Sequence, residues 1–165
     1  MIERRKGTYV AAKYDETSCH LLSAWMHMWQ IPNPVPTDKL HSTVVYSRAP
    51  LSIDKQLFFQ ELIEQDHKVR DWRATPTGFA FFQSSSSCSK RDVLVLLLDC
   101  PFLYDLHDDL IEMGATHDFD TYEPHVTLSY GVPENFDVKR LVLPPIFFTV
   151  EKINFEPLDV NWKDK

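Results

Sequence analysis

Two short segments of the chain carry the same polar residues at the same spacing. The segment HSTVVYS at 41–47 and the segment HVTLSYG at 125–131 both follow the pattern His-x-Thr-x-x-Tyr. An imidazole has an ordinary pKa of about 6.5, so two of them can act as general base and general acid near neutral pH. A threonine hydroxyl two residues further on can donate to an oxygen on which negative charge develops. The four side chains His41, Thr43, His125 and Thr127 could therefore cleave a phosphodiester without a metal ion or another cofactor.

Both segments are typical of β-strands, in which residues i and i+2 lie on one face. If the two strands lie side by side about a pseudo-two-fold axis, two imidazoles and two hydroxyls converge on one concave surface. The alternative is a pair of ordinary half-buried strands that carry polar residues. Strict alternation predicts that His41, Thr43 and Val45 lie opposite Val44 and Tyr46 in the first copy, and that His125, Thr127 and Ser129 lie opposite Val126, Leu128 and Tyr130 in the second.

Length and charge limit the kinds of protein that this chain can be. Its 165 residues, 44% of them hydrophobic, can bury one sizeable core, and we expect a single domain over residues 1–165. The formal net charge of −7 at pH 7 argues against binding of long nucleic acid, which requires many lysines and arginines to neutralise phosphates. A small substrate with two or three phosphates remains compatible with this charge.

The sequence predicts a cytoplasmic protein that has no contact with a membrane. The first residues, MIERRKGTYVAAKY, lack the apolar core of a secretory signal, and the longest aliphatic run, VLVLLL at 93–98, is too short to cross a bilayer. The cysteines Cys19, Cys88 and Cys100 are odd in number and lack CxxC spacing, which is typical of reduced thiols. We expect a monomer.

The order of elements predicts an α+β layout with a rough internal duplication. A strand at 7–14 and a helix capped by Asp15 or Thr17 precede the first motif strand. A strand at 92–100 and a helix from Pro101 to Gly114 precede the second. Residues 55–65 fit a helix or a strand equally well. The other segments predict two strands around a Pro-Thr-Gly turn at 67–83, a polar loop at 84–92, a short helical turn at 134–141 and one or two closing strands at 146–160.

The two motifs in this layout resemble the signature of the two-histidine (2H) phosphoesterase superfamily. That resemblance implies a bilobal α+β fold, with antiparallel sheets about a pseudo-two-fold axis, helices outside and both H-x-T strands in a central cleft. The segments KGTYVAAKY, PNPVPTDKLHSTVVYSR and EPLDVNW resemble more narrowly the phage anti-CBASS nucleases, which degrade the cyclic oligonucleotide signals of bacterial antiphage defence. The resemblance covers most of the chain and implies that His41, Thr43, His125 and Thr127 are catalytic.

The same resemblance implies aromatic contacts to the bases at Tyr9 and Trp72 and an acidic contact from the final strand. Tyr9 shares a strand face with Ala11, which leaves room for a stacked base, although it could also be an ordinary edge tyrosine. Trp72 lies between Arg70 and Arg73, a polar setting that favours stacking over burial. Glu156 is the acidic residue that we expect at the ligand.

These features predict a metal-independent phosphodiesterase that opens 3′,5′ linkages in cyclic di- or trinucleotides and so evades host immunity. One alternative is an enzyme of RNA ends that opens 2′,3′-cyclic phosphates or splits 2′,5′ linkages, and its polyanionic substrate fits poorly with the net charge. Another is a non-catalytic protein that sequesters cyclic nucleotides, which would need no paired acid and base. The segment THDFD at 116–120 comes nearest to a metal-ligand cluster, and we interpret it as a polar loop.

Overall fold

The computed structural model describes residues 6–83, 92–117 and 121–159. The loop predicted at 84–92 lies almost wholly outside these residues, as do Cys88 and much of THDFD. The strands are β1 (Lys6–Tyr14), β2 (His41–Ser47), β3 (Arg73–Gln83), β4 (Asp92–Asp99), β5 (His125–Val132) and β6 (Phe148–Asp159), and the helices are α1 (Glu16–Met28), α2 (Ile53–Val69) and α3 (Pro101–Glu112), with 3₁₀ turns at Thr37–Lys39 and Val138–Arg140.

The strands form one six-stranded antiparallel sheet in the order β2-β1-β6-β3-β4-β5. This order reads as two three-stranded halves, β2-β1-β6 and β5-β4-β3, which meet where Arg73 and Ala74 of β3 pair with Thr149 and Phe148 of β6. In each half a helix connects the inner strand to the outer motif strand, since α1 follows β1 and α3 follows β4. The predicted α+β fold and its internal duplication are confirmed.

The helices α1 and α3 end where their sequence signals predict. The Asp15 carboxylate caps α1 by accepting a hydrogen bond of 2.9 Å from the Ser18 N–H, and α1 ends before the proline-rich segment at 32–36. In α3, Pro101 occupies the first turn, and Gly114 follows the helix with a φ of 108°, in the left-handed region that favours glycine. Both helices bury an apolar stripe against the sheet, which includes Leu22, Trp25 and Met26 in α1 and Phe102, Leu103, Leu106 and Leu110 in α3.

The sequence left residues 55–65 open between helix and strand and predicted two strands at 67–83. The ambiguous residues 55–65 lie within helix α2, which Ser52 caps and of which only Phe59 is fully buried, so its helical periodicity is weak. Residues 67–83 do not form two strands. Residues up to Val69 finish α2, and β3 is one continuous strand in which a register shift between Pro76 and Gly78 absorbs the predicted turn.

Cys19 and Cys100 are free thiols, with Cys100 buried. Among the described helices, none has the length and apolar character needed to span a bilayer.

Candidate active site

The two motif histidines are held in the same way. His41 Nδ1 lies 2.7 Å from the carbonyl oxygen of Lys39, and His125 Nδ1 lies 2.7 Å from the carbonyl oxygen of Glu123. Because a carbonyl oxygen can only accept, Nδ1 must carry the proton in both rings. Each contact spans two residues, so the backbone just before each motif fixes the tautomer. In the neutral rings Nε2 is therefore the nitrogen that can take up a proton and, once protonated, donate it.

Both imidazoles have a pKa below the ordinary value. Burial lowers the pKa of His41, with a further lowering by the Lys13 ammonium, against the raising effects of the Lys39 carbonyl and the Glu156 carboxylate. Burial also lowers the pKa of His125, against the raising effect of the Glu123 carbonyl, and the charge of His41 lowers it further. The last effect means that protonation of one ring disfavours protonation of the other. The pair can hold a single proton over a range of pH.

Each motif strand contains a β-bulge at the same place. In β2 the partners in β1 step from Ala11↔Thr43 to Val10↔Val45, so Val44 has no partner of its own, and in β5 the partners in β4 step over Leu128. Two adjacent residues of each motif therefore point into the core, namely Val44 with Val45 and Leu128 with Ser129, all of which are fully buried.

Because of the bulges, several side chains lie on the face opposite to the one that strict alternation predicts. Beyond each bulge the alternation resumes out of phase, so Val45 and Ser129 lie in the core rather than beside the histidines. Tyr46 and Tyr130 lie on the site face rather than on the packing face. Tyr46 pairs with Tyr9 across the β1–β2 ladder, and their rings stack with centroids 5.0 Å apart. The tyrosine at the fifth position after each histidine thus belongs to the site in both copies.

Thr43 is the centre of a hydroxyl cluster. Its Oγ1 lies 3.1 Å from the Tyr9 hydroxyl and 3.3 Å from the Tyr46 hydroxyl. Burial raises the pKa of Tyr9, so its phenol stays neutral and keeps its proton for donation. Thr127 is half-buried and lies opposite Val95 of β4, in a more apolar setting.

A buried chain of hydroxyls ties the two motifs together, although their strands are at opposite edges of the sheet. The Ser42 hydroxyl donates to the carbonyl oxygen of His125 over 2.7 Å, and the Tyr14 hydroxyl lies 2.5 Å from Ser42 Oγ. Since Ser42 has used its only proton, Tyr14 must be the donor to it. Tyr122 adds a second link by donating to the carbonyl oxygen of Thr43 over 2.9 Å. No sequence pattern marks these three residues, because only their distant partners reveal their role.

A cavity of about 500 Å³ opens beside His125 and Thr43. Its wall is largely aromatic, and the Phe82 ring meets the His125 ring edge to face, with centroids 4.8 Å apart. Flat apolar walls of this kind suit a nucleobase. The cavity is lined by Thr43, Tyr46, Phe81, Phe82, His117, Thr121, Tyr122, Glu123 and His125.

Of the three predicted substrate-binding residues, two lie beside the motifs. Tyr9 contacts Thr43 and meets the His41 ring edge to face at 6.3 Å. Glu156 is the direct partner of Tyr9 in the β1–β6 ladder, so its exposed carboxylate lies on the same face.

Trp72 lies elsewhere, and here the prediction is corrected. Its side chain is only 5% exposed, its ring stacks on Phe102 at 4.6 Å, and its indole N–H donates to Asp66 over 2.7 Å. A ring enclosed in this way offers no face to a base. The neighbouring arginines that suggested a ligand instead form exposed ion pairs, Arg70 with Asp105 and Arg73 with Asp71.

Within residues 6–83, 92–117 and 121–159, no group of three or more histidine, cysteine or carboxylate side chains is arranged to hold a metal ion.

The sequence matches one family of known proteins over nearly its whole length. A family model described as Anti-CBASS protein Acb1 matches residues 6–165. The Anti-CBASS protein Acb1 of Enterobacteria phage T4 is 36% identical over 161 residues, which cover 96% of this chain and 92% of the relative. The protein of the same name from Acinetobacter phage Ac42 is 35% identical over 159 residues, with 96% and 95% covered.

Solved structures extend the likeness to the fold. TT0787 of Thermus thermophilus superposes with a TM-score of 0.56 at 17% identity and covers 90% of this chain and 86% of its own. Escherichia coli LigT complexed with 3′-AMP gives a TM-score of 0.53 at 16% identity, with 93% and 87% covered.

Proposed function

The chain belongs to the Acb1 family of anti-CBASS proteins and has the fold of the 2H phosphoesterases, and from this premise we propose that it is a phosphodiesterase of cyclic oligonucleotides. The enzyme opens 3′,5′ linkages in cyclic di- or trinucleotide signals in the cytoplasm of the infected bacterium, and so silences the CBASS response. The observation that carries this proposal is the matched fixation of His41 and His125, each with Nδ1 on a backbone carbonyl and Nε2 left for proton transfer.

The reaction needs one neutral and one protonated imidazole. The neutral ring takes a proton from the attacking ribose 2′-hydroxyl through Nε2, and the new P–O2′ bond forms as the P–O5′ bond breaks. The protonated ring gives its proton to the departing 5′-oxygen. The products are a 2′,3′-cyclic phosphate end and a free 5′-hydroxyl, so the enzyme pair keeps one proton in total. The coupling that lowers the pKa of His125 through the charge of His41 disfavours the doubly protonated pair, in which no base would remain.

The threonines and Tyr9 stabilise the charge that builds on phosphorus oxygens. Thr43 and Thr127 donate hydroxyl protons to the non-bridging oxygens, which become more negative in the transition state. Tyr9 is neutral over the working pH range and donates its single proton to Thr43 Oγ1, which leaves the Thr43 proton to turn from the Tyr46 hydroxyl to the phosphate.

The size and lining of the cavity support a small nucleotide substrate. A volume of about 500 Å³ falls in the usual range for small-molecule sites, and its aromatic wall suits one base. The fold relatives include LigT complexed with 3′-AMP and with ATP, which are also small nucleotides. The net charge of −7 supports the same choice over a long polyanion.

A substrate panel in excess EDTA tests the proposal. Cyclic dinucleotides, cyclic trinucleotides, 2′,3′-cyclic mononucleotides and 2′,5′-linked dinucleotides are incubated with the protein, and the products are separated by chromatography. We expect cyclic di- or trinucleotides to open to linear products ending in a 3′-phosphate or a 2′,3′-cyclic phosphate, with no need for a divalent ion. A 5′-phosphate end would rule out the 2′-hydroxyl as the nucleophile.

Three other outcomes would contradict the proposal. Turnover confined to 2′,3′-cyclic mononucleotides or 2′,5′ linkages would assign the enzyme to RNA ends. Binding of cyclic nucleotides without turnover would make the protein a sequestering one. Activity lost in EDTA and restored by a divalent ion would require a metal at the site.

A further inference from the structure

A second cavity adjoins the site on the side of His41. It has a volume of about 430 Å³, and His41 forms part of its wall, whereas His125 and Thr43 line the first cavity. The two cavities thus share no lining residue, and each borders one histidine of the pair. A cyclic oligonucleotide carries a nucleotide on each side of the linkage that is cleaved, so two neighbouring cavities suit such a substrate. The second cavity is lined by Lys13, Asn33, Pro34, Val35, Pro36, Lys39, His41 and Tyr130.

The second cavity is cationic in a chain that is acidic as a whole. Lys13 and Lys39 both line it, and among its described lining residues there is no carboxylate. Lys13 is the direct partner of His41 in the β1–β2 ladder, and Lys39 is the residue whose carbonyl holds His41 Nδ1. Two lysines beside the His41 imidazole are suited to a second phosphate.

The opposite wall presents an aromatic ring. The bulge in β5 turns Tyr130 towards this side, where its ring is 64% exposed. The proline-rich loop that completes the wall is fastened to β5, since the Val35 N–H donates to the Leu128 carbonyl over 2.8 Å and the Asn33 amide donates to the Gly131 carbonyl over 2.9 Å. An exposed ring beside a fixed wall can stack on a base.

We propose that this second cavity is a nucleotide subsite, in which Lys13 and Lys39 bind the phosphate next to the scissile linkage and Tyr130 stacks on the adjoining base. The proposal rests on the proposed function and extends it, because it requires a substrate with at least two phosphates. It also gives the second Tyr of the repeated motif a role: Tyr46 lines the first cavity and Tyr130 the second.

The test compares substrates that differ in the second phosphate. KM is measured for a cyclic dinucleotide and for a linear 3′,5′-dinucleoside monophosphate, which has only the scissile phosphate. Losing one charged contact should raise KM for the cyclic substrate by roughly 10-fold in Lys39→Met or Lys13→Met, and by clearly less for the linear one. Lys13→Arg and Tyr130→Phe should keep most of the affinity that Lys13→Met and Tyr130→Ala lose.

Lys139→Met is the matched control, since it removes the same charge from an exposed 3₁₀ turn outside the cavity. Equal KM increases for both substrates, or the same increase in the control, would overturn the subsite while leaving the proposed function in place. Binding of the cyclic dinucleotide to His125→Ala is measured by calorimetry with and without Lys39→Met. A wild type that neither binds nor opens any cyclic dinucleotide would overturn both proposals, whereas binding weakened roughly 10-fold by Lys39→Met supports the subsite even without turnover.

Discussion

The two halves of the sheet hold the same motif in different surroundings. His41 lies opposite Lys13 of β1, whereas His125 occupies the equivalent place opposite Leu97 of β4. Thr43 faces the small side chain of Ala11 with room for the Tyr9 hydroxyl, whereas Thr127 faces Val95.

The rings and charges around the two histidines also differ between the halves. His125 meets the Phe82 ring edge to face at 4.8 Å between centroids and is near the charge of Glu123, whereas His41 meets the Tyr9 ring at 6.3 Å and is near the charges of Lys13 and Glu156. The backbone geometry that fixes the tautomer is alike in the two halves, but the electrostatic environment is not. The duplication thus keeps the backbone contact that fixes each imidazole and varies the rings and charges around it.

Removing one histidine at a time tests whether the two halves act together. His41→Ala and His125→Ala should each lower the rate by ~10²–10⁴, and the double variant should lose far less than the product, because the two rings act in the same step. Cyclic dinucleotide should still bind to the single variants. Near-normal turnover by either folded variant would mean that the repeated motif is only a repeated strand.

Removing the Trp72 side chain tests the packing next to the point where the two halves of the sheet meet. Its carbonyl accepts the Val150 N–H over 2.9 Å, and its ring fills the core beside β6. Trp72→Ala should lower the free energy of unfolding by ~3–5 kcal/mol, as measured in urea, and Trp72→Phe by less. A large rise in KM with unchanged stability would instead place the ring at the substrate.

Removing the buried hydroxyl of Ser42 tests the link between the motifs. Ser42→Ala leaves the His125 carbonyl and the Tyr14 hydroxyl without their partner and should cost ~1–3 kcal/mol of unfolding free energy. Because the link positions His125 rather than substrate, kcat should fall while KM stays. Ser18→Ala is the control, because it removes another buried serine hydroxyl, which is bonded to the Phe147 carbonyl and the Thr149 N–H and lines neither cavity. An unchanged kcat of folded Ser42→Ala protein would show that this hydrogen bond stabilises the fold without positioning His125 for the reaction.

The smallest effect that we expect is a shift in the pH dependence of kcat/KM, caused mainly by a change in the pKa of His41. Lys13→Met removes a positive charge that lowers the pKa of His41, so this pKa should rise, whereas Glu156→Gln removes a negative charge that raises it, so this pKa should fall. The limb of the kcat/KM profile that reports His41 should move up in the first variant and down in the second. Titration of the imidazole protons by NMR should show a smaller change at His125. Equal shifts at both rings would contradict the electrostatic difference between the halves.

The sequence determined the parts of this protein that depend on local chemistry. Asp15 at the start of α1 and Pro101 and Gly114 around α3 mark boundaries that the structure reproduces, because caps and left-handed turns depend on a few neighbouring residues. The two His-x-Thr motifs and the α+β duplication could be predicted because they depend on residue types and spacing along the chain. Tyr9 and Glu156 were placed beside the motifs from a resemblance, and their roles in binding stay predictions.

Only the tertiary structure decided the features that depend on distant partners. A bulge shifts the alternation by one residue, and whether it occurs depends on the register with β1 or β4, so strict alternation put Tyr46 and Tyr130 on the wrong face. Trp72 has arginine neighbours along the chain, but Phe102 and Asp66 enclose it in space. The hydroxyl of Ser42 joins the motifs only because the sheet brings its two edge strands together, a closure that no single segment encodes.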